Sequence, residues 1–161
     1  MERSNKESNV VFYWNPQHPR DAFLFYVADR PTDSIIEQIG EMIDRLENDR
    51  PWVIHPPYFV HQEEDVLDPE TNLAVLTVGG LLEMYSAHEE WRHELPPEVD
   101  RAHYEECHYL VGRLAELSQR MDIEFHCEFQ GEWVGTIKRG QLDDKLALQF
   151  LEPWATAVGC R

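Results

Sequence analysis

The sequence predicts a single α+β domain, with an antiparallel or mixed sheet and about three helices packed mainly on one face. Three observations carry that expectation. Apolar residues recur at helical spacing over 33–48 and again from 97 to about 121. They alternate at the period of a half-buried strand over 123–129. Strand-like and helix-like stretches also follow one another without the regular βαβ alternation of a parallel sheet. A length of 161 residues suits one domain, read here as 1–161, with 1–9 a disordered tail. Such a chain can bury a substantial core without disulfide or metal staples.

In chain order, Val10 to Trp14 is a β-branched and aromatic run ended by Asn15-Pro16, and it reads as a strand. Ala22 to Val27 reads as a second strand, and the two together suggest an opening hairpin. Asp33 to Asn48 follows as a helix capped by Thr32 or Asp33, with Ile35, Ile36, Ile39, Met42, Ile43 and Leu46 on one face. Trp52 to His61 carries Pro56 and Pro57, which restricts it to short extended pieces. His61 to Asn72 reads as a polar loop, and Leu73 to Val78 as a strand. Gly79-Gly80 then signals a tight hairpin, with a strand running directly into a helix as the competing reading.

Ala87 to Leu95 is short, charged and helix-like, and Pro96-Pro97 interrupts it. Pro97 or Glu98 opens the longest helix, whose stripe is Tyr104, Cys107, Val111, Leu114, Leu117 and Met121, widened by Leu110. Ile123 to Phe129, the Gln130-Gly131 turn and Glu132 to Lys138 form the strongest hairpin signal in the chain. Arg139-Gly140 breaks it. A last helix, Leu142 to Trp154, stops near Pro153 and is anchored by Leu146, Phe150, Leu151 and Trp154.

Charge narrows the function classes. There are 31 acidic and 14 basic residues, so the formal net charge is -17. Ion pairing inside the chain cannot absorb that excess, and the surface must carry a negative field. Direct nucleic-acid binding is disfavoured, because its affinity comes mainly from Lys and Arg on phosphates. Anionic membranes are disfavoured for the same reason. No apolar run approaches the roughly 20 residues a membrane helix needs, and Met1 to Asn9 lacks a signal-peptide core. With Cys107, Cys127 and Cys160 as an odd count and no CxxC pair, the expectation is a cytoplasmic protein with reduced thiols.

No complete catalytic motif is present. His88 and His93 lie five apart, whereas a zinc-protease helix needs two histidines four apart. His103 and Cys107 have ligand spacing but lack two further donors, so the expectation is that Cys107 packs and His103 is wet. Glu90 with His93 and Glu105 with His108 repeat a di-iron unit, but a double proline precedes the second and too few helices exist. The acidic run at 63–70 lacks the glycine and spacing of a calcium loop. The sequence therefore assigns no catalytic residue, metal or cofactor.

What remains is surface. Residues 83–106 hold eight acids and two arginines, with Tyr85, Trp91 and Tyr104 interleaved. Aromatic anchors ringed by carboxylates suit the grip on a basic protein. The leading expectation is an immunity-type inhibitor that neutralises a basic protein such as a nuclease toxin, its carboxylates standing where substrate phosphates would. A nucleic-acid mimic directed at another nucleic-acid-binding protein is a variant of it. The candidate partner-binding residues are Glu63, Glu64, Asp65, Asp68, Glu83, Glu89, Glu90, Trp91, Glu94 and Glu105. The competing expectations are a small enzyme or metal-binding protein using His103, Glu106 or His126, and a structural subunit of a larger assembly.

Overall fold

The computed structural model describes residues 15–67, 69–70 and 72–160. Its frame is one six-stranded sheet in the order β2-β3-β1-β4-β5-β6, antiparallel throughout. The strands are β1 (Arg20–Val27), β2 (Tyr58–Leu67), β3 (Ala74–Tyr85), β4 (Glu124–Phe129), β5 (Glu132–Lys138) and β6 (Gln141–Leu142). The two long helices are α1 (Asp33–Asp49) and α2 (Pro97–Met121). Near the C-terminus a π-wound segment, Lys145–Leu151, leads directly into α3 (Glu152–Ala157). The chain is thus the α+β domain that its periodicities predict.

Alternation along β1 shows why the helices gather on one side. Phe23, Phe25 and Val27 are buried, while Ala22, Leu24 and Tyr26 between them are only half-buried. Register carries that split across the sheet: Phe23 faces Leu82 and Phe129, Phe25 faces Gly80 and Cys127, and Val27 faces Phe125. These side chains share one core with Ile39, Met42, Ile43 and Leu46 of α1 and with Cys107, Leu110, Val111, Leu114 and Leu117 of α2. Burial of that face is the main stabilising term, at roughly 25 cal/mol per Å² of apolar surface removed from water. Thr32 caps α1 by accepting a hydrogen bond from the Ile35 amide at 3.2 Å.

The β4–β5 hairpin forms where alternation places it. Gln130 and Gly131 both take positive φ, 57° and 81°, as the favoured two-residue hairpin turn requires. Other expectations either fall outside the described residues or need correction. The strand expected at 10–14 lies outside the described residues, as do residues 1–9. The partner foreseen for that strand, β1, starts at Arg20 and is instead flanked by β3 and β4.

The expected polar loop at 61–72 is largely strand. β2 (Tyr58–Leu67) takes in its residues 61–67, paired on one side with β3 and, among the described residues, unpaired on the other. An edge strand with little buried surface shows no hydropathic alternation, so its acids read as loop. The Gly79-Gly80 hairpin is also absent, because β3 continues through both glycines. Neither takes a positive φ. They meet a steric demand instead: a Cβ on Gly79 would lie 1.8 Å from the Phe25 carbonyl oxygen, and one on Gly80 would lie 2.5 Å from the Phe25 ring.

Residues 87–95 form turns and one short 3-10 segment, Arg92–Glu94, rather than a helix. Pro153 does not stop the last helix. It sits at the junction where the π-wound segment passes into α3. The π-wound turn before it closes with the Glu152 amide donating to the Ala147 carbonyl.

Candidate functional site

The structure divides the predicted partner-binding residues into two groups. Glu63, Glu64 and Asp65 lie on β2, with Asp68 outside the described residues. Glu83, Glu89, Glu90, Trp91, Glu94 and Glu105 gather toward the other end of the β2–β3 pair. Glu63 is opposite Leu76, and Glu83 follows seven residues later on β3, about 23 Å away at the usual strand rise. The two groups thus lie toward opposite ends of the β2–β3 pair.

The β2 acids have a sufficient local cause. An exposed edge strand offers unpaired backbone groups to any passing strand, and charged side chains discourage that pairing. Glu63 is also 3.8 Å from Arg30. The other group has no such account. Glu83 is paired with Arg20 at 3.3 Å and Glu105 with Arg101 at 3.6 Å, whereas Glu89 and Glu90 stand exposed in the turn that follows β3.

The aromatics of that region are not the free anchors the sequence suggests. Tyr85 is only 5% exposed, and Tyr104 packs edge-on against Trp154, 5.5 Å between ring centres. Trp91 is half-buried beside the His18 ring. His18 is itself buried, with Nε2 donating to the Ser86 carbonyl at 2.9 Å, which ties the entry to β1 to the exit of β3.

Of the residues proposed for an enzyme, His103 and Glu106 pair with each other in the interior, and His126 stands apart on β4. His103 is buried rather than wet, and so is Glu106. The Tyr85 amide donates to His103 Nε2 at 3.1 Å. The ring proton therefore sits on Nδ1 and is donated to Glu106 Oε1, also at 3.1 Å. Glu106 Oε2 accepts from the Val53 amide. Every position on this pair that faces a neighbour is used, so it functions as a tie between α2, the end of β3 and the segment after α1.

His126 lies on the open face of the sheet, paired with Glu124 at 3.2 Å and beside Tyr26. Cys107 is fully buried, and burial pushes its thiol well above the ordinary range, which disfavours the thiolate a metal needs. Among the described residues, no group of three or more His, Cys, Asp or Glu side chains is placed to hold a metal ion.

Between the acidic turn and the C-terminal helix lies a cavity of about 570 Å³. It forms where the helix-side face of the sheet runs out. Asp21 and Met84 are its floor, Phe129, Phe150 and Trp154 form one wall, Asp100 of α2 stands beside them, and Glu89 and Arg92 are at the rim. The wall is a mutually packed set: Phe129 and Phe150 are 5.3 Å apart between ring centres, Phe150 and Trp154 5.7 Å, and Phe129 and Trp154 6.3 Å.

Asp100 Oδ1 accepts from Trp154 Nε1 at 2.9 Å, and Asp21 Oδ2 accepts from Gln130 Nε2 at 2.7 Å. Neither aspartate meets a cation among the described residues. Sequence reasoning missed this arrangement because its parts come from β1, α2, β4 and the C-terminal helix. Phe150 and Trp154 read only as core residues, and Asp100 as one acid among many.

No protein-family model, curated protein or solved structure matches the chain. Among the described residues, no helix is long and apolar enough to cross a membrane.

Proposed function

We propose that this protein binds a basic protein through the acidic end of its sheet, centred on residues 83–100, with no chemistry of its own. In its most specific form the reading is an immunity-type inhibitor that acts in the cytoplasm and covers the cationic groove of a nuclease toxin. The observation that carries it is the unpaired surplus of charge. If each of the 14 basic residues took one of the 31 acids, 17 acids would still face solvent or a partner.

The edge-strand acids are accounted for by edge protection. The acids of the turn after β3 are not, and one of them, Glu89, borders a concave surface. Carboxylates so placed attract a basic protein from a distance and orient it on arrival.

The test compares two neutralised forms of equal charge. One carries E89Q, E90Q and E94Q in the turn. The other carries E37Q, D44N and E47Q on the exposed side of α1. Binding of a basic ribonuclease and of fluorescein-labelled nona-arginine is titrated between 50 and 300 mM NaCl, about the range over which screening shortens from about 14 Å to about 6 Å. The expected result is affinity that falls steeply with salt, with a tenfold or greater loss in the turn variant and a loss under twofold in the α1 variant. Equal losses in the two variants would mean diffuse charge attraction and would overturn the reading.

A further inference from the structure

We infer that the cavity between Asp21, Asp100 and the Phe129–Phe150–Trp154 wall is a socket for a single cationic side chain, an arginine or lysine of the basic partner. The inference rests on the proposed function and adds the place where the partner is anchored. Three features of the site select that chemistry. The face of an aromatic ring attracts an ammonium or guanidinium group, and a wall of three such rings packs its apolar stem. Two aspartates with no cation among the described residues lie against the same space. A third carboxylate, Glu89, stands at the mouth against one guanidinium, Arg92, whose Nε is already donated to the Ala87 carbonyl.

Other occupants fit worse. A neutral apolar group would strip water from Asp21 and Asp100 and return no hydrogen bond. An anion would meet three carboxylates. A volume of about 570 Å³ admits a whole arginine side chain with its hydration partly retained, and it lies within the usual range of ligand sites, about 300–1,000 Å³. The aspartates are also braced in advance. Trp154 Nε1 holds Asp100 and Gln130 Nε2 holds Asp21, so an entering cation does not have to order them.

The test uses the full chain and two probes, nona-arginine and the free cation agmatine, with the tryptophan indole resonances followed by nitrogen–proton NMR. The variant is D21N/D100N. Asparagine keeps an oxygen for Trp154 and Gln130, and an unchanged melting temperature verifies the fold.

Nona-arginine should move the Trp154 indole resonance, and the double variant should bind it at least tenfold more weakly. Agmatine should move the same resonance only at far higher concentration. If nona-arginine binds and E89Q/E90Q/E94Q weakens it, but D21N/D100N matches the parent and Trp154 stays still, the socket is wrong while the docking surface stands. If no basic probe binds, both fall. If agmatine binds as tightly as the peptide, the cavity takes a free small amine and the assignment to a partner side chain is overturned.

Discussion

His103 and Glu106 lie one turn apart on α2, each only 1% exposed, and are joined by a hydrogen bond of 3.1 Å from Nδ1 to Oε1. Their outer atoms accept from backbone amides of two other segments, Tyr85 and Val53. The pair thus converts two buried polar side chains, costly if left alone, into a clamp across the sheet end that borders the cavity.

Breaking that clamp should destabilise the fold strongly. Glu106→Leu leaves the Val53 amide and His103 Nδ1–H buried without acceptors. Leaving a buried donor without its acceptor costs about 1–3 kcal/mol for each group. Urea unfolding monitored by tryptophan fluorescence should show a much lower midpoint with little change in slope. A cost under about 1 kcal/mol would show that the network contributes little.

The two glycines of β3 give a second, steric prediction. Gly79→Ala places a methyl group against the Phe25 backbone, which cannot move without disturbing the β1–β3 pairing. The expected loss is about 3 kcal/mol, at the upper end of overpacking effects. Gly112 is the internal comparison, because it lies exposed on α2 with nothing within 4 Å of an added Cβ. Gly112→Ala should stabilise by about 0.5–1 kcal/mol. Equal effects at the two positions would contradict the close approach of β1 and β3.

Tyr26 sets an alkaline limit. Burial, and then its hydrogen bond to the Glu128 carboxylate at 2.6 Å, push its pKa up to about 12. The folded protein therefore holds the phenol proton more tightly than the unfolded chain, where the group titrates near 10. The stabilisation this represents is complete below about pH 10 and is lost as pH rises toward 12. Ultraviolet titration should find a late-ionising tyrosine that disappears in Tyr26→Phe, and that variant should lose less stability between pH 10 and 12. An unaltered titration curve in the variant would contradict the assignment.

How much of this was legible in the sequence depended on whether an element's causes lie within it. Ile123 to Phe129 showed its strand period because one face is buried and the other is not. The stripes of α1 and α2 were legible for the same reason. β2 was not, since an edge strand exposed along most of its length has no pattern to betray it. Gly79 and Gly80 looked like a turn because their actual cause, the crowding by Phe25, is more than fifty residues away in sequence. His103 and Glu106 looked wet or catalytic, since the amides that satisfy them lie 18 and 53 residues away. The acids were visible one by one, but their division between the two ends of the β2–β3 pair follows only from strand register.

The most direct measurement is to cross-link the protein to deca-lysine with a carbodiimide, which joins carboxylates to amines at zero length, and to locate the products by mass spectrometry. The account predicts cross-links concentrated on Glu89, Glu90, Glu94 and Asp100 and lost at high salt. Cross-links spread evenly over the carboxylates of α1 and β2 would contradict it.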